Sequence, residues 1–108
     1  MKKIYVVHPY GGLEANQKIA EKIIRHIREN FERDTMIVSP IHLFGHAYND
    51  VSYEKGIEMC LVALAGCDEI WLPDDFLYIE KSKGCLMELA FAKGKGIKIV
   101  RYPVASFI

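Results

Sequence analysis

Several absences narrow the possibilities before any motif is considered. The 108-residue chain carries 14 basic and 14 acidic side chains, so it has no global field of one sign to hold a nucleic-acid backbone. No run of apolar residues approaches the length of a membrane span. The opening MKKIYVVHPYGG offers two lysines and then only the apolar run IYVV before His8, too little for a signal peptide. The expectation is a cytoplasmic chain with neither a polymeric nucleic acid nor a membrane as partner. Cysteine is scarce: Cys60, Cys67 and Cys85 are an odd set without a CxxC pair, which argues for reduced core thiols over disulfides. The dinucleotide fingerprint GxGxxG, the phosphate loop GxxxxGK[ST] and the nucleophile elbow GxSxG are all missing. Low-complexity linkers and internal repeats are missing too, and the length fits one domain spanning 1–108.

What is present alternates in period. IYVVHP (4–9) reads as a buried strand stopped by Pro9, with a turn at Tyr10-Gly11-Gly12. From Asn16 to Phe31, Ile19, Ala20, Ile23, Ile24, Ile27 and Phe31 recur at helical spacing, and Asn16 suits the N-cap. TMIVSP (35–40) is a second strand. IHLFGHAYNDVS has no clean period and reads as a long loop. Ile57, Cys60, Leu61 and Leu64 mark a second helix ended by Gly66, before the strand EIWLP (69–73). DDFLYIEKSKG is another loop, a third helix covers roughly 84–93 until Gly94 and Gly96 break it, and IKIVRYP (97–103) is the last strand.

A βαβαβαβ order with strands that are apolar throughout implies an α/β fold, a flavodoxin/Rossmann-like three-layer sandwich around a four-stranded parallel sheet. The economical strand order is 2-1-3-4, whose topological switch lies between the first and third strands, and ligands bind at such crevices. The loops leaving those strands bring Tyr10, Gly11, Gly12, Asp74, Asp75 and Ser82 to one end of the sheet. So small a sheet leaves helix faces poorly covered, which suggests a homodimer or higher homo-oligomer.

Chemistry concentrates in SKGCLMELAFA (82–92), where every residue from Cys85 to Ala92 is apolar except Glu88. A carboxylate among Leu86, Met87, Leu89 and Phe91 cannot easily reach bulk water, and burial would raise its pKa unless donors hold the charge. The plain alternative is an edge glutamate paired with Lys81, Lys83 or Lys95. Ser82 and Gly84 stand where unpaired N–H groups and the helix dipole favour an anion, although a serine there is also simply an N-cap. Gly11-Gly12 suits a backbone cradle or a turn, and Asp74 and Asp75 suit sugar hydroxyls or a turn. His42 and His46 have metal spacing only on a helix, and Gly45 between them argues for a loop, so no metal or other cofactor is expected. Trp71 reads as core, and Cys85 as a weaker nucleophile candidate than Glu88.

Three stretches together, IYVVHPYGG with Asn16 behind it, CDEIWLPD, and SKGCLMELAFAKGKGIKIV, resemble the nucleoside 2-deoxyribosyltransferase-like superfamily, in particular its short branch with an HPYxG first loop. The resemblance covers most of the chain, and its most specific element is Ser-x-Gly-x-x-x-Glu, here Ser82, Gly84 and Glu88. It implies that Glu88 attacks C1′ of a nucleoside or nucleoside 5′-monophosphate, expelling the base and forming a glycosyl-enzyme that water or another base resolves. It also implies 5′-end contacts from Ser82 and Gly11-Gly12, a tyrosine near the glutamate at Tyr5 or Tyr10, and oligomers. Characterised relatives carry an aspartate eight residues ahead of the one matching Asp68, and here that position is Cys60.

The expected function is therefore cleavage or transfer at an N-glycosidic bond. Glu88, Asp74 and Tyr5 are expected at the chemistry, and Tyr10, Gly11, Gly12, Asn16, Asp75, Ser82 and Gly84 at the substrate. The alternative is a domain of the same fold that binds a nucleotide without turning it over.

Overall fold

The apolar runs become the four strands β1 (Lys2–Val6), β2 (Thr35–Val38), β3 (Glu69–Pro73) and β4 (Lys98–Tyr102). In this computed structural model, which describes residues 1–9, 13–30, 34–45, 49–74 and 82–106, they pair in parallel in the order β2-β1-β3-β4. β1 lies in register with both neighbours, Tyr5 facing Val38 on one side and Ile70 on the other. The central strand β3 is buried at all five positions, because helices cover both faces of a parallel sheet and leave no solvated side.

Strand alternation divides the core in two. Tyr5, Val7, Ile70 and Leu72 point to one face, where they pack with Leu64, Cys67, Cys85, Leu89 and Ala92. Those partners lie on or beside α3 (Tyr53–Ala65) and α4 (Lys83–Lys95), numbered after α1 (Glu14–Asn30) and α2 (Pro40–Phe44). Ile4, Val6, Trp71 and Tyr102 point to the other face, against Ile23 and Ile27 of α1. Each fully buried aliphatic side chain of this kind contributes ~1.5–3 kcal/mol of burial free energy.

The elements differ from the sequence reading at their ends. α1 begins at Glu14, not Asn16, and the Leu13 carbonyl accepts from the N–H groups of Asn16 and Gln17. Asn16 is thus a first-turn residue, not the N-cap. β1 starts at Lys2, because exposed Lys2 and Lys3 still complete a backbone ladder with Thr35 and Met36. The segment read as a loop after β2 contains α2, opened by Pro40 in the first turn, where its missing N–H is not needed. α4 runs through Gly94 and ends at Gly96, whose left-handed φ of 71° lets its N–H reach the carbonyls of Ala92 and Lys93.

Candidate active site

A cavity of about 310 Å³ opens at the C-terminal ends of the strands, where a parallel sheet of this topology presents its crevice. His8 and Pro9 after β1 form one side, and Pro40, Ile41 and Phe44 of α2 give it an apolar wall. The first turns of α3 supply Ser52, Tyr53, Ile57 and Cys60, and those of α4 supply Ser82, Gly84, Cys85 and Glu88.

Glu88 faces this cavity and is only 6 % exposed. Its helix presents Cys85, Glu88, Leu89 and Ala92 to the interior, positions that share one face at the i, i+3, i+4, i+7 spacing. Glu88 is not an edge residue: among the described residues it joins no ion pair, and its Oε2 has no hydrogen-bond partner. Lys81, one proposed partner, lies outside the described residues, and the Lys95 ammonium sits over the Phe91 ring at 5.8 Å. Burial therefore pushes the Glu88 carboxyl up to about 7, with the nearby Tyr5 phenol only partly offsetting it.

Tyr5 lies beneath this carboxyl, fully buried, and burial together with the Glu88 charge holds its phenol well above the ordinary range. Although the two groups are close enough to interact, Tyr5 Oη makes no well-formed hydrogen bond, so its O–H remains an unused donor beside Glu88. Cys60 joins the same cluster. Burial and the neighbouring Glu88 push its thiol up to about 11, and burial pushes Cys85 up to about 12, with Ser82 offsetting in part. Both thiols are held mainly neutral at ordinary pH, which makes them poor nucleophiles.

The polar end of the cavity is built from two helix starts. Ser82 caps α4, its Oγ accepting from the Cys85 N–H at 3.3 Å, and Ser52 caps α3 by accepting from the Lys55 N–H at 3.1 Å. Gly84 has a reason beyond ligand approach. A Cβ there would stand 3.1 Å from Ile57 Cδ1 and 3.8 Å from Tyr53 Oη, so the absent side chain lets the first turns of α3 and α4 meet.

Sequence reasoning missed His8. It is 5 % exposed, and its Nδ1 lies 3.1 Å from Tyr102 Oη, which itself donates to the Val7 carbonyl at 2.7 Å. Because the phenol spends its only proton on a carbonyl, Nδ1 must carry the imidazole proton and donate. Burial lowers the His8 pKa to about 4, with Asn16 beside it opposing in part, so the ring is neutral and fixed in one tautomer. The HPY motif was visible, but its partner Tyr102 lies at the far end of the chain, on a neighbour-but-one strand that only the sheet order brings close.

Of the other expected site residues, Asn16 stands beside His8 and outside the cavity lining, and Asp74 is exposed at the end of β3, its N–H donating to the Tyr102 carbonyl at 2.8 Å. The structure does not bring Asp74 to the cavity wall. Tyr10, Gly11, Gly12 and Asp75 lie outside the described residues, as does His46 of the considered metal pair. His42 turns away from such a role, with Nδ1 2.7 Å from Ser39 Oγ and Nε2 3.3 Å from Glu21. Among the described residues no group of three or more His, Cys, Asp or Glu could hold a metal ion, and no helix is long and apolar enough to cross a membrane.

Comparison with known proteins gives one result. A family model described as "Domain of unknown function (DUF7768)" matches residues 2–102. The chain belongs to the DUF7768 family. The match spans all four strands and the whole cavity wall, so Glu88, Tyr5, Ser82 and Gly84 sit inside the DUF7768 domain and not in an appendage. No curated protein and no solved structure matches the chain.

Proposed function

We propose that this DUF7768 chain is a nucleoside 2-deoxyribosyltransferase-like enzyme that cleaves, or transfers across, the N-glycosidic bond of a nucleoside or nucleoside 5′-monophosphate, with Glu88 as nucleophile. The observation that carries the reading is the Glu88 carboxyl: buried, unpartnered at Oε2, and on the wall of a crevice-end cavity of about 310 Å³. That volume lies at the small-ligand end of binding-site sizes.

In the first step a Glu88 oxygen bonds to C1′ as the C1′–N bond breaks. The bonding pair leaves with the base, which takes up a proton from a water molecule of the solvent. In the second, water or an incoming base nitrogen attacks C1′, and the ester pair returns to the Glu88 carboxylate. This is the two-step logic of retaining glycoside chemistry. The apolar surroundings withhold the hydration that would otherwise quench the carboxylate, and they strengthen its attraction for the positive charge that develops on the sugar. Tyr5, with its unused O–H beside Glu88, is placed to orient the carboxylate. Phe44, Ile41 and Pro40 offer the base an apolar wall. A panel of ribo- and deoxyribonucleosides and their 5′-monophosphates, followed by chromatography of released base, tests the reading with Glu88→Gln as comparison. Release by the native chain and none by the variant is expected. No release from any compound rejects it.

A second reading has one observation in its favour. Cys60, standing where the resemblance calls for an aspartate, lies in the Glu88 cluster with its thiol held neutral, so no second acid flanks the nucleophile there. A domain that binds a nucleotide without cleaving it follows from that gap. Calorimetry separates the two: tight binding with no base release, and unchanged affinity in Glu88→Gln, selects the second.

A further inference from the structure

The charge on the cavity wall is one-sided. Among the described residues that line it, Glu88 is the one carboxylate, buried with Oε2 unpartnered, and no lysine or arginine stands beside it. An ionised Glu88 thus has no protein cation in the wall to balance it, and an opposite charge within ~4–6 Å is what favours the ionised form of a buried acid. Much of the remaining wall is apolar or aromatic, with Pro9, Pro40, Ile41, Phe44 and Ile57. A flat organic cation suits both features, because its charge meets the carboxylate and its ring meets apolar surface and an aromatic side chain.

Proton supply points the same way on separate grounds. An uncharged base leaving C1′ must gain a proton, and the side chains around Glu88 give theirs up reluctantly. The Cys60 and Cys85 thiols are raised to about 11 and about 12, and the Tyr5 phenol is held well above its ordinary range. His8 is neutral, its pKa lowered to about 4, and its one N–H already goes to Tyr102 Oη. A base that carries a positive charge before the bond breaks needs none of these donors.

We propose that the cavity selects nucleosides whose base is a fixed cation, an N-substituted pyridinium or an N7-alkylated purine, with the Glu88 carboxylate as counter-ion to the ring. This rests on the reading of Glu88 as the nucleophile at C1′ and names the substrate class of that site. A Glu88 oxygen bonds to C1′ as the C1′–N bond breaks, and the bonding pair neutralises the ring, so the base departs uncharged without taking up a proton. Water then attacks C1′, the ester pair returns to the Glu88 carboxylate, and the proton of the water passes to solvent.

Sugar-free probes separate recognition from cleavage. Calorimetry on the full chain at pH 8.5, where Glu88 is ionised, compares the 1-methylnicotinamide cation with uncharged nicotinamide in native protein and Glu88→Gln, whose fold circular dichroism verifies. The native chain is expected to bind the cation roughly tenfold more tightly or better, and Glu88→Gln to remove most of that preference. The methyl group alone would leave the preference in place. Equal affinities in the native chain, a preference that survives in Glu88→Gln, or failure of the cation to bind at millimolar concentration overturns the assignment. Base release is scored separately with nicotinamide riboside against its uncharged 1,4-dihydro form, and 7-methylguanosine against guanosine. Release from the cationic member of each pair, with the uncharged member slower by roughly 100-fold or more, is expected where no general acid assists departure. Cation preference without release from any compound rejects the glycosidic reading and keeps the cation assignment. Release at equal rates from charged and uncharged members does the reverse.

Discussion

Replacing Glu88 by glutamine should stabilise the protein at alkaline pH and do progressively less for it as the pH falls. Below pH 4.5 the carboxyl is protonated in both folded and unfolded chains, so its burial carries no ionisation cost. Between 4.5 and about 7 the unfolded chain ionises while the folded chain keeps its proton. Above that window the folded protein must hold a charge that burial disfavours. Stability of the native chain therefore falls as pH rises through the window, in the direction linkage requires when the folded state binds more protons. The separation between 4.5 and about 7 corresponds to about 3 kcal/mol at 1.36 kcal/mol per pKa unit. Glutamine keeps the shape and removes the titration. The stability difference between Glu88→Gln and native protein should thus grow by about 3 kcal/mol between pH 4.5 and pH 8.5, or roughly 13 °C in Tm for a domain of this size. Thermal and urea unfolding followed by circular dichroism at five or six pH values measures it. A difference that stays flat with pH would mean that the Glu88 charge is solvated or partnered, and the argument from burial would fail. Such a gain in stability on removing a site residue is the usual signature of a carboxylate kept for function.

Other expectations follow from the same packing. Tyr102→Phe deletes the donor to the Val7 carbonyl and the acceptor for His8 Nδ1, leaving two buried groups without that partner, and should cost about 2–4 kcal/mol in urea unfolding. Nuclear magnetic resonance of the imidazole nitrogens should find His8 as the neutral Nδ1–H tautomer down to about pH 5 in native protein and not in this variant. Cys60, with its thiol raised from 9.0 to about 11, should react with iodoacetamide at pH 8 about 100-fold more slowly than a free cysteine, because the thiolate is the reacting species. A Cys60 that labels at the free rate would show that the cluster beside Glu88 is open to solvent.

The strand pattern was readable because each strand is a short apolar run bounded by a turn signal. EIWLP matched its strand residue for residue, and the 2-1-3-4 order followed from the βα alternation. Glu88 was readable for the opposite reason, as one polar residue in an apolar helix stretch, and the structure places it inside. The short helix α2 was not: only five residues long, it shows one buried side chain, Ile41, and so leaves no period to detect. Tyr53 and Phe44 carry no local signal either. Their place in the cavity wall arises from how α2 and α3 return over the sheet, a property of the topology. Asp74 shows the converse limit. Position at the end of a central strand brought it near the crevice in principle, but it is exposed and is not among the described residues that line the cavity.

The most direct test of Glu88 as nucleophile is to trap the sugar on it. Incubation with 2-deoxy-2-fluoro-arabinofuranosyl nucleoside 5′-monophosphates slows resolution of the glycosyl-enzyme, and intact-mass spectrometry followed by peptide mapping locates any adduct. The account predicts one fluorosugar 5′-phosphate per chain, ester-linked to Glu88 and absent from Glu88→Gln. An adduct on another residue, or none beside active turnover of natural substrates, would contradict it.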